Sequence, residues 1–241
     1  MRALILSDIH GNLPALEAVL ARPHDRVICL GDVVGYGPEP GACLRILREE
    51  KAIMIPGNHD LAWSHGIPPR CRPAFESLAA SIASVTKGQL SHADLTYLGA
   101  LPLTRSVHWG EVRCLLVHAT PSDPLYRYLG PELEAWHQEM AECAAAWAVV
   151  GHTHLQFDLE LGAKRVLNPG SVGQPKDGDP RAAYALLEGG HLRLERVEYE
   201  VERTVQALGG IGAPGEAVDV LAELLRTARV PPGASEAHTR S

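Results

Sequence analysis

The chain lacks the features that would tie it to a membrane or to a long nucleic acid. Its N-terminal apolar stretch, within "MRALILSDIHG", is too short for a signal peptide or a bilayer span and meets Asp8 and His10 at once. Lys and Arg number 22 against 29 Asp and Glu, a formal net charge of −7. A protein that neutralises many phosphates along a polymer carries the opposite excess, so a long nucleic acid is not the expected partner. The cysteines, Cys29, Cys43, Cys71, Cys114 and Cys143, include no C-x-x-C pair. That removes the common zinc and dithiol frameworks and leaves them as small buried apolar residues. No fixed-period repeat and no low-complexity tract is present. The expectation is a soluble, cytoplasmic protein.

What the sequence does have is an ordered alternation. The 241 residues are 46% hydrophobic, enough for one large core, and the expected organisation is a single domain over 1–228. "RALILS", "RVICL" and "AIMIP" read as buried strands. Between them, "NLPALEAVLAR", with Asn12 as N-cap and Pro14 in its first turn, and "PEPGACLRILREE" read as helices. This β-α-β-α-β order favours right-handed crossovers and a largely parallel sheet. Residues 61–110 are irregular, a candidate lid or rim, with helices expected in "AFESLAASIASV" and "HADLTYLGAL". "EVRCLLVH" and "AAWAVVGH" are apolar strands ending in histidine, with the helix "GPELEAWHQEMAECAA" before the second. "LQFDLEL", "KRVLN", "RAAYALLE" and "HLRLERVEYEV" then suggest antiparallel strands, so the second half reads as a sheet facing the first. "GEAVDVLAELLRTAR" is an amphipathic helix whose exposed part is a candidate homodimer surface, and 229–241 is expected to be a disordered tail.

The polar residues fall just past the ends of these strands. Asp8 and His10 follow the first, Gly31-Asp32 the second and Gly57-Asn58-His59-Asp60 the third; His118 follows "CLLV", and Gly151-His152-Thr153-His154 follows "AWAVV". In an open parallel sheet that edge is where ligands bind. Taken singly, an Asp after a strand is a turn former or cap and a His a hydrogen-bonded structural residue. Together they are an imidazole and oxygen donor set without thiolate, suited to manganese, iron, zinc or related divalent ions. Their number exceeds one tetrahedral site and fits two ions sharing a carboxylate.

"DIHGN", "GDVVGYG", "GNHD", "VHATP" and "GHTH", in this order, resemble the signature of the calcineurin-like metallophosphoesterases, in particular their small bacterial and archaeal phosphodiesterase branch. The segment "NPGSVGQPKDGDPRAAYALL" is similar to a hairpin of the same branch. The resemblance implies a four-layer α/β/β/α sandwich of two mixed sheets flanked by helices. It implies one divalent ion on Asp8, His10, Asp32 and His154, and a second on Asp32, Asn58, His118 and His152, with Asp32 bridging. His59 resembles the family histidine that contacts the phosphate and protonates the leaving oxygen, and Asn58 and His59 face substrate. The ions would be manganese, with iron, zinc, nickel or cobalt as alternatives. About 3.5–4 Å apart, they would activate a hydroxide for in-line attack on phosphorus. Because imidazoles must be neutral to bind metal, activity is expected to fall in acid.

The implied activity is hydrolysis of a small, nucleotide-type phosphodiester; phosphomonoester or dinucleoside polyphosphate hydrolysis are alternatives. A non-catalytic protein-binding scaffold, such as the retromer scaffold subunit of the same fold, is the rival of another class. Every ligand position is filled here, which favours the enzyme. In the protein phosphatases of the superfamily an acidic residue and an arginine stand where this chain has Gly35 and Tyr36, which disfavours that substrate class. Arg70, Arg72 or Arg127 could meet the phosphate instead, Tyr36, Trp63 or Tyr126 could stack on a base, and Asp60 either orients neighbours or caps a helix.

Overall fold

The computed structural model describes residues 1–71 and 73–230. Arg72 and the expected tail beyond residue 230 lie outside the described residues. The chain runs β1 (Arg2–Leu6), α1 (Leu13–Leu20), β2 (Arg26–Cys29), α2 (Pro40–Glu49), β3 (Ile53–Met54), α3 (Asn58–His65), α4 (Pro73–Thr86), α5 (His92–Gly99), β4 (Thr104–Trp109) and β5 (Val112–Val117). It continues through α6 (Leu133–Ala141), β6 (Trp147–Val149), β7 (Gln156–Leu161), β8 (Lys164–Pro169), β9 (Ala182–Glu188), β10 (His191–Val197), α7 (Val201–Gly210) and α8 (Gly215–Thr227).

Two five-stranded mixed sheets result, ordered β10-β9-β1-β2-β3 and β4-β5-β6-β8-β7. β1, β2 and β3 pair in parallel, as do β5, β6 and β8. Alternation along β1 shows why the sheets stack. Ala3 and Ile5 point into a core shared with Cys114, Leu116, Val149 and Leu167 of the second sheet. Leu4 and Leu6 point the other way, onto Leu13, Leu16 and Val19 around α1 and Cys43, Leu44 and Leu47 of α2. With both faces covered, β1 is apolar without interruption, the mark of an interior parallel strand. Each fully buried Leu or Ile contributes about 1.5–3 kcal/mol relative to exposure. α6 closes the far side, setting the fully buried Trp136 and Met140 against Ala148, Phe157 and Val166. The architecture is the expected α/β sandwich, helices on both outer faces.

The expected partition of the chain needs correction. The second half does not form one sheet facing the first: β9 and β10 return to the first sheet, β9 pairing antiparallel with β1 through Ala3↔Leu187 and Ile5↔Ala185. β1 is buried on both faces and needs a neighbour on the edge away from β2; "AAYALLE", nearly continuous in burial, can fill it. Strand character also stops earlier than "HLRLERVEYEV" suggested, at Val197, and α7 begins at Val201. β4 emerges inside the segment read as irregular, and the helices expected there are α4 and α5. Asn12 caps α1 as read, its Oδ1 accepting from Ala15 N at 3.2 Å. The same oxygen accepts from Thr204 Oγ1 of α7 at 2.8 Å, so the cap also fixes the helix the reading missed. No helix among the described residues is long and apolar enough to cross a membrane.

Candidate metal centre

The polar residues singled out from the sequence meet at the carboxyl edge of β1, β2, β3, β5 and β6. Beyond the strands the backbones stay paired: Asp8 N donates to Gly31 O at 3.0 Å, His10 N to Asp32 O at 2.9 Å, and Gly151 N to His118 O at 2.8 Å. Two glycines allow the approach. A Cβ on Gly31, whose φ is 97°, would lie 2.3 Å from Gly57 N, and one on Gly57 would lie 2.1 Å from Asp32 Oδ1. Asp8, His10, Asp32, His152 and His154 take φ of 53°, 48°, 54°, 65° and 61°. Asp and His enter this left-handed region more readily than most side chains, and such strain gathers at functional sites. The turns aim the side chains inward, where all five are buried.

Asp8, His10 and His154 form one group, and Asp32, His118 and His152 another; within each, one donor atom per residue lies within 4.8 Å of the others. Asp32 stands between the two: its Oδ2 is 3.8 Å from His10 Nε2 and 3.4 Å from His118 Nε2. Backbone carbonyls engage one nitrogen of each imidazole. His10 Nδ1 lies 3.0 Å from Val34 O, His118 Nδ1 2.8 Å from Leu30 O, His154 Nδ1 2.6 Å from Gln174 O and His152 Nε2 3.3 Å from Tyr126 O. A carbonyl only accepts, so these nitrogens carry the proton and the opposite nitrogens of neutral rings present lone pairs. His10 Nε2 and His154 Nε2 then face each other at 3.2 Å. His118 Nε2 lies 3.2 Å from Asn58 Oδ1, the Asn58 amide being turned by its donation to Pro69 O at 2.8 Å. Asp8 Oδ1 is buried with no hydrogen-bond partner. Acceptors converging on acceptors in a dry site call for cations between them, and this nitrogen and oxygen set fits divalent metals.

Electrostatics within the protein point the same way. Burial lowers His10 to about 3 and holds His152 and His154 well below the ordinary imidazole value, keeping them neutral. Burial raises Asp8 to about 6, although His118 pulls against it. For Asp32 and His118 mutual attraction outweighs burial: Asp32 lies well below the usual carboxylate range and His118 rises to about 9. His118 is thus the imidazole that holds a second proton in place of a metal at neutral pH.

Residues 1–190 match the family described as the calcineurin-like phosphoesterase superfamily domain. The chain belongs to that superfamily. The phosphoesterase is 30% identical over 227 residues to the uncharacterized protein MJ0912 of Methanocaldococcus jannaschii, covering 85% of this chain and 90% of that one. It is 30% identical over 204 residues to phosphodiesterase YfcE of Escherichia coli K12, covering 80% and 91%. A crystal structure of a metallophosphoesterase from Sphaerobacter thermophilus superposes with a TM-score of 0.79 at 31% identity, covering 95% of this chain and 99% of that one. The chain is therefore a metallophosphoesterase, a hydrolase of phosphoester bonds.

Around this centre the remaining candidates separate. His59 is 3% exposed, its Nδ1 has no partner, and burial lowers it to about 4; its backbone N donates to Asp32 Oδ1 at 2.9 Å. Asp60 does both things the sequence left open: Oδ2 caps α3 through Gly57 N at 3.0 Å, and Oδ1 holds Val33 N and Val34 N at 3.0 and 3.1 Å. Arg127 is ion-paired with Glu139, which also accepts from Ser122 Oγ at 2.7 Å, so it serves the β5–α6 connection. Tyr36 and Trp63 are packed in the interior. Sequence reasoning passed over Tyr128, whose ring centroid is 3.9 Å from that of His152, and Lys176. The Lys176 ammonium lies 4.6 Å from the Phe75 ring centroid, and its charge reaches Asp8, His10, His59 and His154. Neither follows a strand-end glycine, the signal that found the others.

Proposed function

We propose that this phosphoesterase is a metal-dependent phosphodiesterase acting on a small, nucleotide-type phosphoester. Asp8, His10, Asp32 and His154 hold one divalent ion, and Asp32, Asn58, His118 and His152 hold the second, with Asp32 shared. The observation that carries the reading is the pair of lone-pair-bearing nitrogens, His10 Nε2 and His154 Nε2, 3.2 Å apart beside an unpartnered Asp8 oxygen. The likeness to a protein named phosphodiesterase supports the choice of a diester. Bound divalent ions supply Lewis-acid charge to the phosphoryl oxygens and lower the pKa of an attacking water. The chain's own part is orientation and proton handling. Backbone carbonyls fix the imidazole tautomers, and Asn58 and His59 face the substrate. His59 delivers a ring N–H toward the leaving oxygen. Manganese is the ion of first choice, while iron, zinc, nickel and cobalt suit the same donors. The free cysteines are in keeping with a cytoplasmic setting.

Turnover of bis(p-nitrophenyl) phosphate, cyclic nucleotides, a dinucleoside polyphosphate and p-nitrophenyl phosphate, each with added manganese, zinc, nickel or cobalt and after chelation, tests the reading. Diesters should be hydrolysed faster than the monoester, with activity lost to chelator and restored by metal. Preference for the monoester or the polyphosphate moves the substrate assignment, and chelator-insensitive hydrolysis would falsify the metal mechanism.

A second expectation concerns pH. Metal must displace the extra proton that His118 holds below about 9, so loading at neutral pH should release about one proton from this residue. Apparent metal affinity should therefore rise with pH toward 9, while His10, lowered to about 3, has no proton to give in that range. Calorimetric titration of manganese into stripped protein, in buffers of different ionisation enthalpy at neutral and alkaline pH, counts the protons. An equal count at both pH values contradicts the assignment.

A further inference from the structure

Arg70 is exposed, and no carboxylate among the described residues pairs with it, yet it is not a loose surface cation. Its guanidinium carbon lies 4.2 Å from the centroid of the Tyr126 ring. The ring face positions the group, and its N–H groups donate to no other described residue, which leaves them for an acceptor. Both members of the stack are tied through backbone to the second donor group. Pro69 O, one residue before Arg70, accepts from Asn58 Nδ2 at 2.8 Å, and Tyr126 O lies 3.3 Å from His152 Nε2. The Tyr126 loop is itself fixed, Asp123 Oδ1 accepting from Tyr126 N at 3.1 Å. Arg70 has a φ of 51°, the same left-handed region used by the buried donors.

A planar guanidinium with a free edge matches two oxygens of a phosphoryl group, a fit that an ammonium cannot reproduce. Arg127, the other described arginine raised from the sequence, is already paired with Glu139. We propose that Arg70, stacked on Tyr126, binds the phosphoryl oxygens of the substrate on the Asn58–His152 side of the centre and sets the affinity for phosphate-bearing ligands. The inference rests on the phosphoester-hydrolysing centre proposed above and adds the residue that grips the anion.

The test uses the full chain loaded with manganese, with metal content measured for each variant. Arg70→Ala is expected to raise both the Kd for inorganic phosphate, read by calorimetry, and the KM for bis(p-nitrophenyl) phosphate by about ten- to a hundredfold, with a smaller change in kcat. Arg70→Lys should recover only part of the loss, and Tyr126→Ala should shift both constants in the same direction while Tyr126→Phe does not. Wild-type phosphate affinity in Arg70→Ala overturns the proposal. If that variant loses metal or misfolds, Arg70→Gln and Tyr126→Ala decide by the same measurement, and unchanged affinity in both overturns it. Failure of the unaltered protein to hydrolyse any phosphodiester refutes the diesterase reading separately, because phosphate binding still judges Arg70.

Discussion

Asp32→Asn is expected to lower phosphoester hydrolysis by on the order of a thousandfold, the equivalent of several kcal/mol of lost Lewis-acid stabilisation. The substitution keeps the side chain's shape and removes its charge. Asp32 is the carboxylate within 4 Å of an imidazole from each donor group, and its other oxygen receives His59 N. Loss of the shared charge should leave the protein holding fewer than two ions per chain by elemental analysis. The metal-free fold should not suffer in proportion. In the stripped protein the substitution gives up the attraction between Asp32 and His118, a loss offset in part because His118 can shed its extra proton and because the Asp32 charge also acts against ionised Asp8. Thermal melts of stripped wild type and Asp32→Asn should therefore differ far less than their activities. A variant that keeps two ions and near-normal turnover refutes the shared-carboxylate assignment.

His59→Ala is expected to reduce kcat by about 10²–10⁴-fold, the span of a lost proton donor, while metal content stays at the wild-type level. The two outcomes separate because His59 touches the centre in two ways. Its backbone N–H to Asp32 survives in alanine, so the Asp32 carboxylate remains oriented. Its ring, set edge-on to His10 at 5.1 Å and tilted against Tyr36 at 4.8 Å, is what disappears. Burial lowers it to about 4, outweighing the pull of the Asp32 charge in the other direction, so in the free protein the ring is a neutral hydrogen-bond donor. Metal analysis beside steady-state kinetics distinguishes the roles: if ions and turnover vanish together, His59 is a ligand or a structural support.

The parts of the fold that could be read from sequence are those where one physical requirement leaves one pattern. β1, β2 and the strand before Asn58 are covered on both faces, so they are short apolar runs, and the donors follow them directly. The donor set was legible because it needs Asp, Asn and His beside turns that glycine permits. β4 was not legible: its residues Arg105, Ser106 and His108 lie on a half-exposed strand with no buried alternation. α7 was hidden by the alternating "ERVEYEV" ahead of it, although Val201, Val205 and Leu208 keep helical spacing and the fully buried Thr204 fixes its inner face. The return of β9 to β1 depends on which strand lacks a neighbour, a fact of the assembled sheet. Arg70 and Arg127 look alike as letters; an ion pair to Glu139 and a stack on Tyr126 distinguish them.

The left-handed backbone at Asp8, His10, Asp32, His152 and His154 has a consequence for the protein's heat resistance. Each such residue costs on the order of 1 kcal/mol, a sum that is sizeable beside the roughly 5–15 kcal/mol that holds a typical domain together. Glycine would relieve that cost at any of the five positions and would supply no donor atom. At Asp8 and Asp32 it would also remove the carboxylate oxygens that accept from His152 N and His59 N, so the strained backbone cannot be exchanged for a relaxed one without opening the packed edge around it.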